Sequence, residues 1–351
     1  MLVATPNLCF DRTLRLTLLA PGAVHRSRQA EVTAGGKGVN VARVLRSHGY
    51  RPVVAGLVPT VDGEQLCRLL QQEGADLVGV AVEGRTRAAT VLVEDAGRVT
   101  VVNEPGPQLD AATWDAYRAA VAAALAHHDV LVCTGSLPPG APADAYGQLT
   151  ALAHEHGAVA VVDAAREALA GALTAGPDLV SPNLAEAEAV LAGRHHGPET
   201  VDEDAADLVD RALAAARALV AAGARRAVVT LGGAGAVMVT RDGVDGHGTG
   251  ARTASEHGLL LRAPRVEVVN PVGAGDSFVG GLVVGLVRGE TWPDAVRRGI
   301  ATATASVEQL LAGGVDVARA EELLTQVATA QVVTAPVPGA RRVSTGVGGA
   351  A

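Results

Sequence analysis

Four short apolar runs, each ending in small or polar residues, constrain the fold of this chain more than any other feature. They are DVLVCTGS (129–136), AVAVVDAA (158–165), DLVSPN (178–183) and RAVVTLGG (226–233). Ala-rich amphipathic stretches separate them, and continuous apolar strands that alternate with helices are typical of a parallel sheet buried on both faces. We therefore predict a doubly wound α/β fold with a mostly parallel sheet, whose ligands bind at the carboxyl ends of its strands.

Two other stretches have the period of half-exposed strands. TLRLTL (13–18) alternates strictly, and TVLVEDAGRVTVVN (90–103) predicts two strands around an Asp-Ala-Gly turn. They predict a small antiparallel sheet that is either a lid over an active site or an ordinary edge extension. A lid edge can also serve as a homodimer interface, so the oligomeric state stays open. Residues 331–351 predict a poorly ordered tail and residues 243–258 a surface loop, because both are rich in small and polar residues.

Composition argues against several classes of function. The net charge is −8 and no run of basic residues occurs, which argues against binding to nucleic acid or to an anionic membrane surface. Cys9, Cys67 and Cys133 are far apart and lack a CxxC pair, so a reducing cytoplasm fits best. No segment has the ~18 uninterrupted apolar residues of a membrane helix. No histidine pair has HExxH spacing, so no catalytic metal centre is predicted.

The stretch NPVGAGDSFVGG (270–281) carries the strongest chemical signal. VEVVN (266–270) predicts a strand, and the residues from Asp276 onward predict a helix with its apolar side chains on one face. Gly273-Ala274-Gly275 is then a turn at a helix start, whose bare amides suit an anion. Asp276 in the first helical turn is able to accept a proton. The alternative is a helix start in which the glycines serve only tight packing.

TAGGKGVNVAR (33–43) resembles a phosphate-binding loop at first sight. A Walker loop needs Gly five positions before the Gly of its Gly-Lys pair and Ser or Thr after the lysine, but Glu31 and Gly38 occupy those positions. A glycine turn into a helix remains, with Asn40 on the first turn. It suits a hydroxyl-rich ligand, or it is a helix start alone. Lys37, the single lysine of the chain, lies inside it.

Asn183 and Glu186 have the spacing of a helix-capping pair. The same spacing also allows a second function. Glu186 could stand near the water shell of a magnesium ion, because Mg²⁺ keeps several waters and contacts few carboxylates. The pattern fits both interpretations.

In this order and at these distances, the motifs resemble the PfkB, or ribokinase-like, family of carbohydrate kinases. AGGKGVNVAR is similar to its first signature and NPVGAGDSFVGGL to its second. TPNLCFDRTLRL, TRAATV, GSLPPG and TLGGAGA have counterparts in the branch that holds 1-phosphofructokinase and tagatose-6-phosphate kinase. The resemblance implies one kinase domain over residues 1–330, with lid strands at about 8–34 and 86–105.

The resemblance also implies a reaction and a set of residue roles. The reaction is transfer of the γ-phosphoryl group of ATP, with Mg²⁺, to a hydroxyl of a phosphorylated ketohexose, fructose 1-phosphate being the first candidate. Asp276 is the implied base, and the amides of Gly273, Ala274 and Gly275 hold the migrating phosphoryl group. The implied binding residues are Asp11, Gly36, Lys37 and Asn40 for the sugar hydroxyls, Arg87 for the phosphate of the acceptor, Asn183 and Glu186 for magnesium through water, and Thr230, Gly232 and Gly235 for the nucleotide.

Other acceptors and other classes stay open. Asp163-Ala164-Ala165-Arg166 departs from the pattern of the branch, so tagatose 6-phosphate, fructose 6-phosphate or an unphosphorylated sugar-like acceptor are alternatives. A serine hydrolase that uses Gly275-Asp276-Ser277 is an alternative from another class, although no His-Asp partner pair is evident. A non-catalytic sugar or nucleotide sensor on the same fold is the third class.

Overall fold

The structure is a computed structural model that describes residues 1–194, 205–241 and 257–333. Its strands are β1 (Leu2–Ala4), β2 (Cys9–Leu16), β3 (Gln29–Gly35), β4 (Val53–Pro59), β5 (Asp76–Val82), β6 (Arg87–Glu94), β7 (Val99–Asn103), β8 (Val130–Thr134), β9 (Val159–Asp163), β10 (Leu179–Val180), β11 (Arg226–Thr230), β12 (Ala236–Thr240), β13 (His257–Arg262) and β14 (Ala328–Val333). Its α-helices are α1 (Lys37–Ser47), α2 (Gly63–Gln72), α3 (Ala111–Leu125), α4 (Ala145–Glu155), α5 (Arg166–Leu173), α6 (Leu184–Leu191), α7 (Leu208–Ala221), α8 (Ala274–Val287), α9 (Trp292–Ser306) and α10 (Val317–Leu324).

Within these ranges the larger sheet has ten strands in the order β14-β13-β12-β11-β10-β9-β8-β1-β4-β5. The strands from β11 to β5 are parallel, and β12, β13 and β14 are antiparallel. The four apolar runs are β8, β9, β10 and β11, although β10 is only two residues long. The predicted mostly parallel α/β sheet is thereby confirmed.

Helices cover both faces of this sheet. In β1, Leu2 and Ala4 pack into one core with residues of α3, α4 and α7, whereas Val3 packs into a second core with α8 and α9. Successive side chains of a strand point to opposite faces, so a strand buried on both faces must be apolar throughout. This is the physical reason for the unbroken apolar runs in the sequence.

A separate four-stranded sheet has the order β3-β2-β6-β7. The predicted hairpin around Asp95-Ala96-Gly97 is confirmed, since β6 and β7 are antiparallel. The predicted small antiparallel sheet is confirmed as a separate sheet in which β2 and β3, and β6 and β7, are antiparallel, and its central pair, β2 and β6, is parallel. β2 leaves the carboxyl end of β1 and β6 leaves the carboxyl end of β5, and those two strands run in the same direction within the large sheet. Both strands therefore enter the small sheet from the same side.

The strand predicted at 266–270 is wrong. These residues lie outside any strand, and the backbone amides of Val269 and Asn270 both donate to the Val307 carbonyl instead. Helix α8 starts at Ala274 as the glycine turn predicts. The prediction of one apolar face on α8 is wrong, because residues 276–285 are buried on every side of the helix. The helix is apolar all round because it packs between α1 and α9.

The predicted loop at 243–258 lies outside the described residues except for its last two, which begin β13. Residues 331–333 of the predicted tail end β14, and residues 334–351 lie outside the described part of the chain. No helix within the described ranges has the length and apolar character needed to cross a membrane.

Candidate active site

Polar residues gather where the parallel strands end. Asn7 follows β1, and its side-chain amide donates to the hydroxyl of Ser136 after β8 at 3.0 Å. Asp163 is the last residue of β9. Asn183 follows β10 and forms a bridge to Thr230 at the end of β11. These ends lie along one edge of the sheet, which is where a doubly wound fold binds its ligands.

Asp276 sits in the first turn of α8 and only 5% of it is exposed. Its Oδ2 accepts a hydrogen bond of 2.7 Å from Nδ2 of Asn40 on α1. Burial raises the pKa of Asp276 to about 7, the ammonium of Lys37 lowers it, and the carboxylate of Asp163 raises it. This carboxyl group therefore exchanges its proton near neutral pH.

The turn before Asp276 presents backbone donors with open space around them. Gly273 has a φ of 82°, a left-handed conformation that favours glycine, and α8 begins directly after it. The amide of Ala274 already donates to the Pro271 carbonyl at 3.3 Å. In the described part of the chain, no acceptor faces the amides of Gly273, Gly275 or Asp276. A side chain at Gly275 would meet no atom within 4 Å, so this helix start has room for an anion.

Asn270 fastens that turn to a neighbouring segment. Its Oδ1 accepts from the Val272 amide at 3.0 Å, and its Nδ2 donates to the Leu310 carbonyl at 2.8 Å. A Cβ on Gly273 would lie 3.1 Å from Cβ of Ala312, so this segment packs closely against the turn. The Asn270 side chain thus links the turn, through the Val272 amide, to the segment that contains Leu310.

The glycine turn before α1 carries Lys37 to the same edge of the sheet. Gly36 has a φ of 109° at the start of the helix. Nζ of Lys37 lies 3.4 Å from Oδ2 of Asp163 and 4.0 Å from Oε1 of Glu186. Asp163 raises the pKa of Lys37, so its ammonium stays charged. Lys37 and Asn40 therefore face carboxylates in this structure, although the resemblance implies that they contact sugar hydroxyls.

Asn183 and Glu186 form a complete capping box at the start of α6. Oδ1 of Asn183 accepts from the Glu186 amide at 2.8 Å, and Oε2 of Glu186 accepts from the Asn183 amide at 3.0 Å. The predicted cap is confirmed. Residues 1–194, 205–241 and 257–333 contain no group of three or more His, Cys, Asp or Glu arranged to hold a metal ion. The few oxygen donors of Asn183 and Glu186 fit a hard cation that is held mainly by phosphate oxygens and water.

Arg87 reaches across from the small sheet to the strand ends. Its Nε donates to the Asn7 carbonyl at 3.0 Å and one terminal nitrogen donates to the Glu104 carbonyl at 3.4 Å. The other terminal nitrogen has no acceptor among the described residues. Asn7 therefore links Arg87, through its backbone carbonyl, to the exposed residue Ser136, through its side-chain amide. The sequence pattern assigned no role to Ser136, because its contact with Asn7 joins segments 129 positions apart in the chain.

Asp11 lies on β2, on the same row of the small sheet as Thr33 and Ala89. The Cys9 thiol donates to its Oδ1 at 3.3 Å, and burial raises the pKa of Asp11. A Cβ on Gly35 would lie 2.2 Å from Cγ of Asp11. Glycine at 35 is thus required for the Asp11 carboxyl group to occupy its place next to the Lys37 turn.

The three residues that the resemblance assigns to the nucleotide lie at the end of β11 and in the turn after it, and they differ in environment. Thr230 is half-buried and Gly232, with a φ of 58°, is exposed. Gly235 has a φ of 106°, and a Cβ there would lie 1.9 Å from the Leu261 carbonyl oxygen. Gly235 is therefore required by the sheet itself, whereas Gly232 is exposed to solvent.

Two further residues bear on the alternatives. The hydroxyl of Ser277 is fully buried and has no hydrogen-bond partner in the described ranges, which leaves it out of reach of a substrate. Arg166 directly follows the segment after β9 and has a φ of 55°, the one positive value at a described residue other than glycine. Such a conformation is uncommon for arginine. The segment Asp163-Ala164-Ala165-Arg166, which departs from the pattern of the family branch, begins at the end of β9.

Known proteins share both the sequence pattern and the architecture. The profile of the pfkB family carbohydrate kinases matches residues 4–317. The chain is 34% identical to 1-phosphofructokinase of Rhodobacter capsulatus, over 79% of this chain and 80% of that protein. It is 31% identical to 1-phosphofructokinase of Escherichia coli, over 89% and 92%. The structure of phosphofructokinase-2 from Escherichia coli in complex with fructose-6-phosphate aligns with a TM-score of 0.76 at 26% identity, covering 93% of this chain and 98% of that one.

Proposed function

Since the chain belongs to the pfkB family of carbohydrate kinases, it is an ATP-dependent sugar-phosphate kinase, and we propose that its acceptor is a phosphorylated ketohexose, with fructose 1-phosphate first. The names of its relatives support that acceptor. One observation carries the assignment of the site: Asp276, buried and with a pKa of about 7, lies beside three amides for which the described residues offer no acceptor.

Asp276 acts as the base that takes the proton of the attacking hydroxyl. A general base works best when its pKa lies near the operating pH, and burial raises the pKa of this carboxyl group to that range. Asn40 holds Oδ2, which leaves Oδ1 of Asp276 for the hydroxyl of the acceptor. The side chain is fixed by the first turn of α8, so the proton acceptor and the neighbouring amides keep one geometry.

The turn stabilises the charge that moves with the phosphoryl group. The amides of Gly273, Gly275 and Asp276 donate to its oxygens, whereas that of Ala274 remains on Pro271 and shapes the turn. Ala274 therefore shapes the turn and is not one of the amides that bind the phosphoryl group, although the family resemblance implies that it is. The Lys37 ammonium lies between two carboxylates, where it offsets negative charge as transfer proceeds.

The acceptor lies between the small sheet and the turn before α1. The Asp11 carboxylate accepts hydrogen bonds from sugar hydroxyls, and the backbone of Gly36 follows Gly35, which packs against Asp11. The free terminal nitrogen of Arg87 and the hydroxyl of Ser136 bind the phosphate that the acceptor already carries. A planar guanidinium held at its other donors is well suited to that anion.

The nucleotide lies over the ends of β10 and β11, where Asn183 and Thr230 are bridged, Gly232 is exposed and Gly235 maintains the turn. Asn183 and Glu186, which cap α6 at the end of β10, would hold Mg²⁺ through water. When bound, magnesium neutralises phosphate charge. The three unpaired cysteines support a reducing compartment, the cytoplasm.

We also propose that the small sheet is a lid and a dimer interface. Arg12, Val32, Thr90 and Val102 form one row across the face opposite Asp11, and the two valines are exposed. A lid that closes over Asp11 excludes water that would compete as acceptor. Light scattering on the V102E variant tests the interface: a fall from dimer to monomer is expected, and an unchanged mass contradicts it.

The decisive experiment measures ADP release with MgATP over a panel of acceptors. Fructose 1-phosphate, fructose 6-phosphate, tagatose 6-phosphate and unphosphorylated fructose are compared by kcat/KM. We expect fructose 1-phosphate to give the highest value and the unphosphorylated sugar the lowest. If none of the four supports turnover while ATP and sugar still bind, the protein is a sensor.

The D276N and S277A variants separate the kinase from a hydrolase. D276N should lose transfer while S277A retains it, because only the carboxyl group reaches the open turn. Activity that depends on Ser277 and survives D276N would instead identify a hydrolase.

A further inference from the structure

Arg43 on α1 is a buried arginine that does not reach the open site, yet its donors join three parts of it. Its Nε and one terminal nitrogen bind both oxygens of Glu73, each at 2.6 Å. The same terminal nitrogen donates to the Ala34 carbonyl on β3 at 2.7 Å. The other donates to Oδ1 of Asn40 at 2.7 Å and to the Ala312 carbonyl at 3.3 Å. Only 7% of Arg43 is exposed.

These contacts decide which way the Asn40 amide points. A guanidinium carries donors and no acceptor, so the Asn40 atom that faces it must be the oxygen. The amide nitrogen is then turned toward Asp276, to which it donates at 2.7 Å. Nothing in Asn40 alone selects this orientation, because its oxygen and nitrogen have nearly the same shape. The selection comes from Arg43.

Two of the remaining contacts tie neighbouring segments to that choice. Ala34 is two residues before Gly36, where the chain leaves β3 for the Lys37 turn. Ala312 packs against Gly273, and a Cβ on Gly313 would lie 2.8 Å from the Asn40 carbonyl oxygen. The guanidinium therefore holds the small sheet, the Asn40 amide and the segment beside the anion turn in one arrangement.

We propose that Arg43, oriented by Glu73, is a positioning residue for phosphoryl transfer: it fixes the Asn40 amide so that its N–H group donates to the Asp276 carboxylate. The proposal rests on the proposed function, in which Asp276 is the base. Neither Arg43 nor Glu73 touches the acceptor or the nucleotide, and both act through Asn40.

Loss of Arg43 has a direction that can be predicted. The charged groups that act on Asp276 are Lys37 from α1, which lowers its pKa, and Asp163 from β9 and Asp11 from β2, which raise it; the Asn40 hydrogen bond also lowers it. Without the guanidinium, the amide is free to turn its oxygen toward the carboxylate. The ionised form then loses a donor, so the pKa of Asp276 rises and the base is protonated at neutral pH.

The experiment compares kcat against pH for the wild type, R43M, R43K and E73Q with the best acceptor. The acid limb should move up by about one pH unit in R43M, so that kcat falls about tenfold below pH 7 and much less at pH 9. R43K and E73Q should move the acid limb less than R43M does. A lysine keeps a donor that can face Asn40 but cannot also reach Ala34 and Glu73, and E73Q keeps the guanidinium itself. KM for ATP should stay within about twofold of the wild type, because binding groups are untouched.

R298M is the matched control. Arg298 is similarly buried, at 8% exposed, and its guanidinium also binds carboxylates, those of Glu290 and Glu321, neither of which belongs to the candidate active site. It should lose stability as R43M does without moving the acid limb. A ¹³C NMR titration of the Asp276 carboxyl group in ligand-free protein repeats the comparison without any turnover.

That titration separates the two hypotheses. If no acceptor is phosphorylated, the proposed function fails, and a higher carboxyl pKa in R43M or R43K still supports the positioning role. If the acid limb and the carboxyl titration are unchanged in folded R43M or R43K, the positioning role is wrong. An equal movement in R298M would overturn it as well.

Discussion

Replacement of Asp276 by asparagine should abolish transfer and at the same time stabilise the fold at alkaline pH. A general base contributes about 10²–10⁴-fold to a rate, so kcat should fall by that factor. The gain in stability arises because the carboxylate is buried beside Asp163, and an amide of the same shape avoids that charge. Nδ2 of Asn40 retains an acceptor, since the new amide oxygen takes the place of Oδ2.

The magnitude follows from the pKa of this carboxyl group. Its ordinary value is 3.8, and burial raises the pKa to about 7 in the folded protein. The folded state therefore holds its proton in a range where the unfolded chain has already lost one, so stability falls as pH rises from about 4 to 7. At about 1.4 kcal/mol per pH unit, the charge destabilises the fold by about 4 kcal/mol at pH 8 and about 1–2 kcal/mol at pH 5.

Urea unfolding of the wild type and D276N at both pH values measures this difference. We expect the free energy of unfolding of D276N to exceed that of the wild type, and the excess to grow by about 2–3 kcal/mol between pH 5 and pH 8. D294N is the control, because Asp294 is a half-exposed residue in the first turn of α9. If the excess for D276N is the same at both pH values, the carboxyl group does not have a raised pKa and the reasoning is refuted.

Three further predictions concern the turn, the buried hydroxyl and the acceptor phosphate. G275A should lose transfer with an unchanged midpoint of thermal unfolding, because its methyl group enters only the open space, whereas G273A should also lose about 1–2 kcal/mol of stability from its left-handed backbone; equal stability losses would contradict this. S277A should keep kcat within about twofold and be at least as stable as the wild type, since its hydroxyl is buried without a partner; a large loss of kcat would return the hydrolase to consideration. R87M should raise KM for the sugar phosphate about tenfold or more and leave KM for ATP unchanged, with R12M on the opposite face of the sheet as a control that changes neither; a rise for ATP would move Arg87 away from the acceptor.

Features that depend on neighbouring residues could be predicted from the sequence. The turn at Gly273-Ala274-Gly275 and the helix after it follow from local backbone conformation, and the Asn183-Glu186 cap follows from spacing within one helical turn. The parallel sheet also follows, because a strand covered on both faces must be apolar at every position. Each of these predictions draws on a few consecutive side chains.

Local pattern failed where a distant segment competes. Valine-rich 266–270 has the pattern of a strand, but two of its amides donate to the Val307 carbonyl and it lies outside any strand. The alternation in β2 and β6 indicates half-exposed strands but not that the two pair with each other, and their parallel direction is set by the parallel strands that precede them. In both cases the local preference is weak and tertiary contact decides.

The sequence by itself thus determined the chemistry available to this protein: a carboxylate at a bare helix start, a lone lysine after a glycine turn, and an arginine for an anion. Only the tertiary structure decided how these groups act on one another. It brings Asn40 to Asp276 across 236 positions of the chain and Lys37 to Asp163 across 126. The pKa of Asp276 and the orientation of the Asn40 amide depend on distance and burial, which packing alone sets and no short pattern encodes.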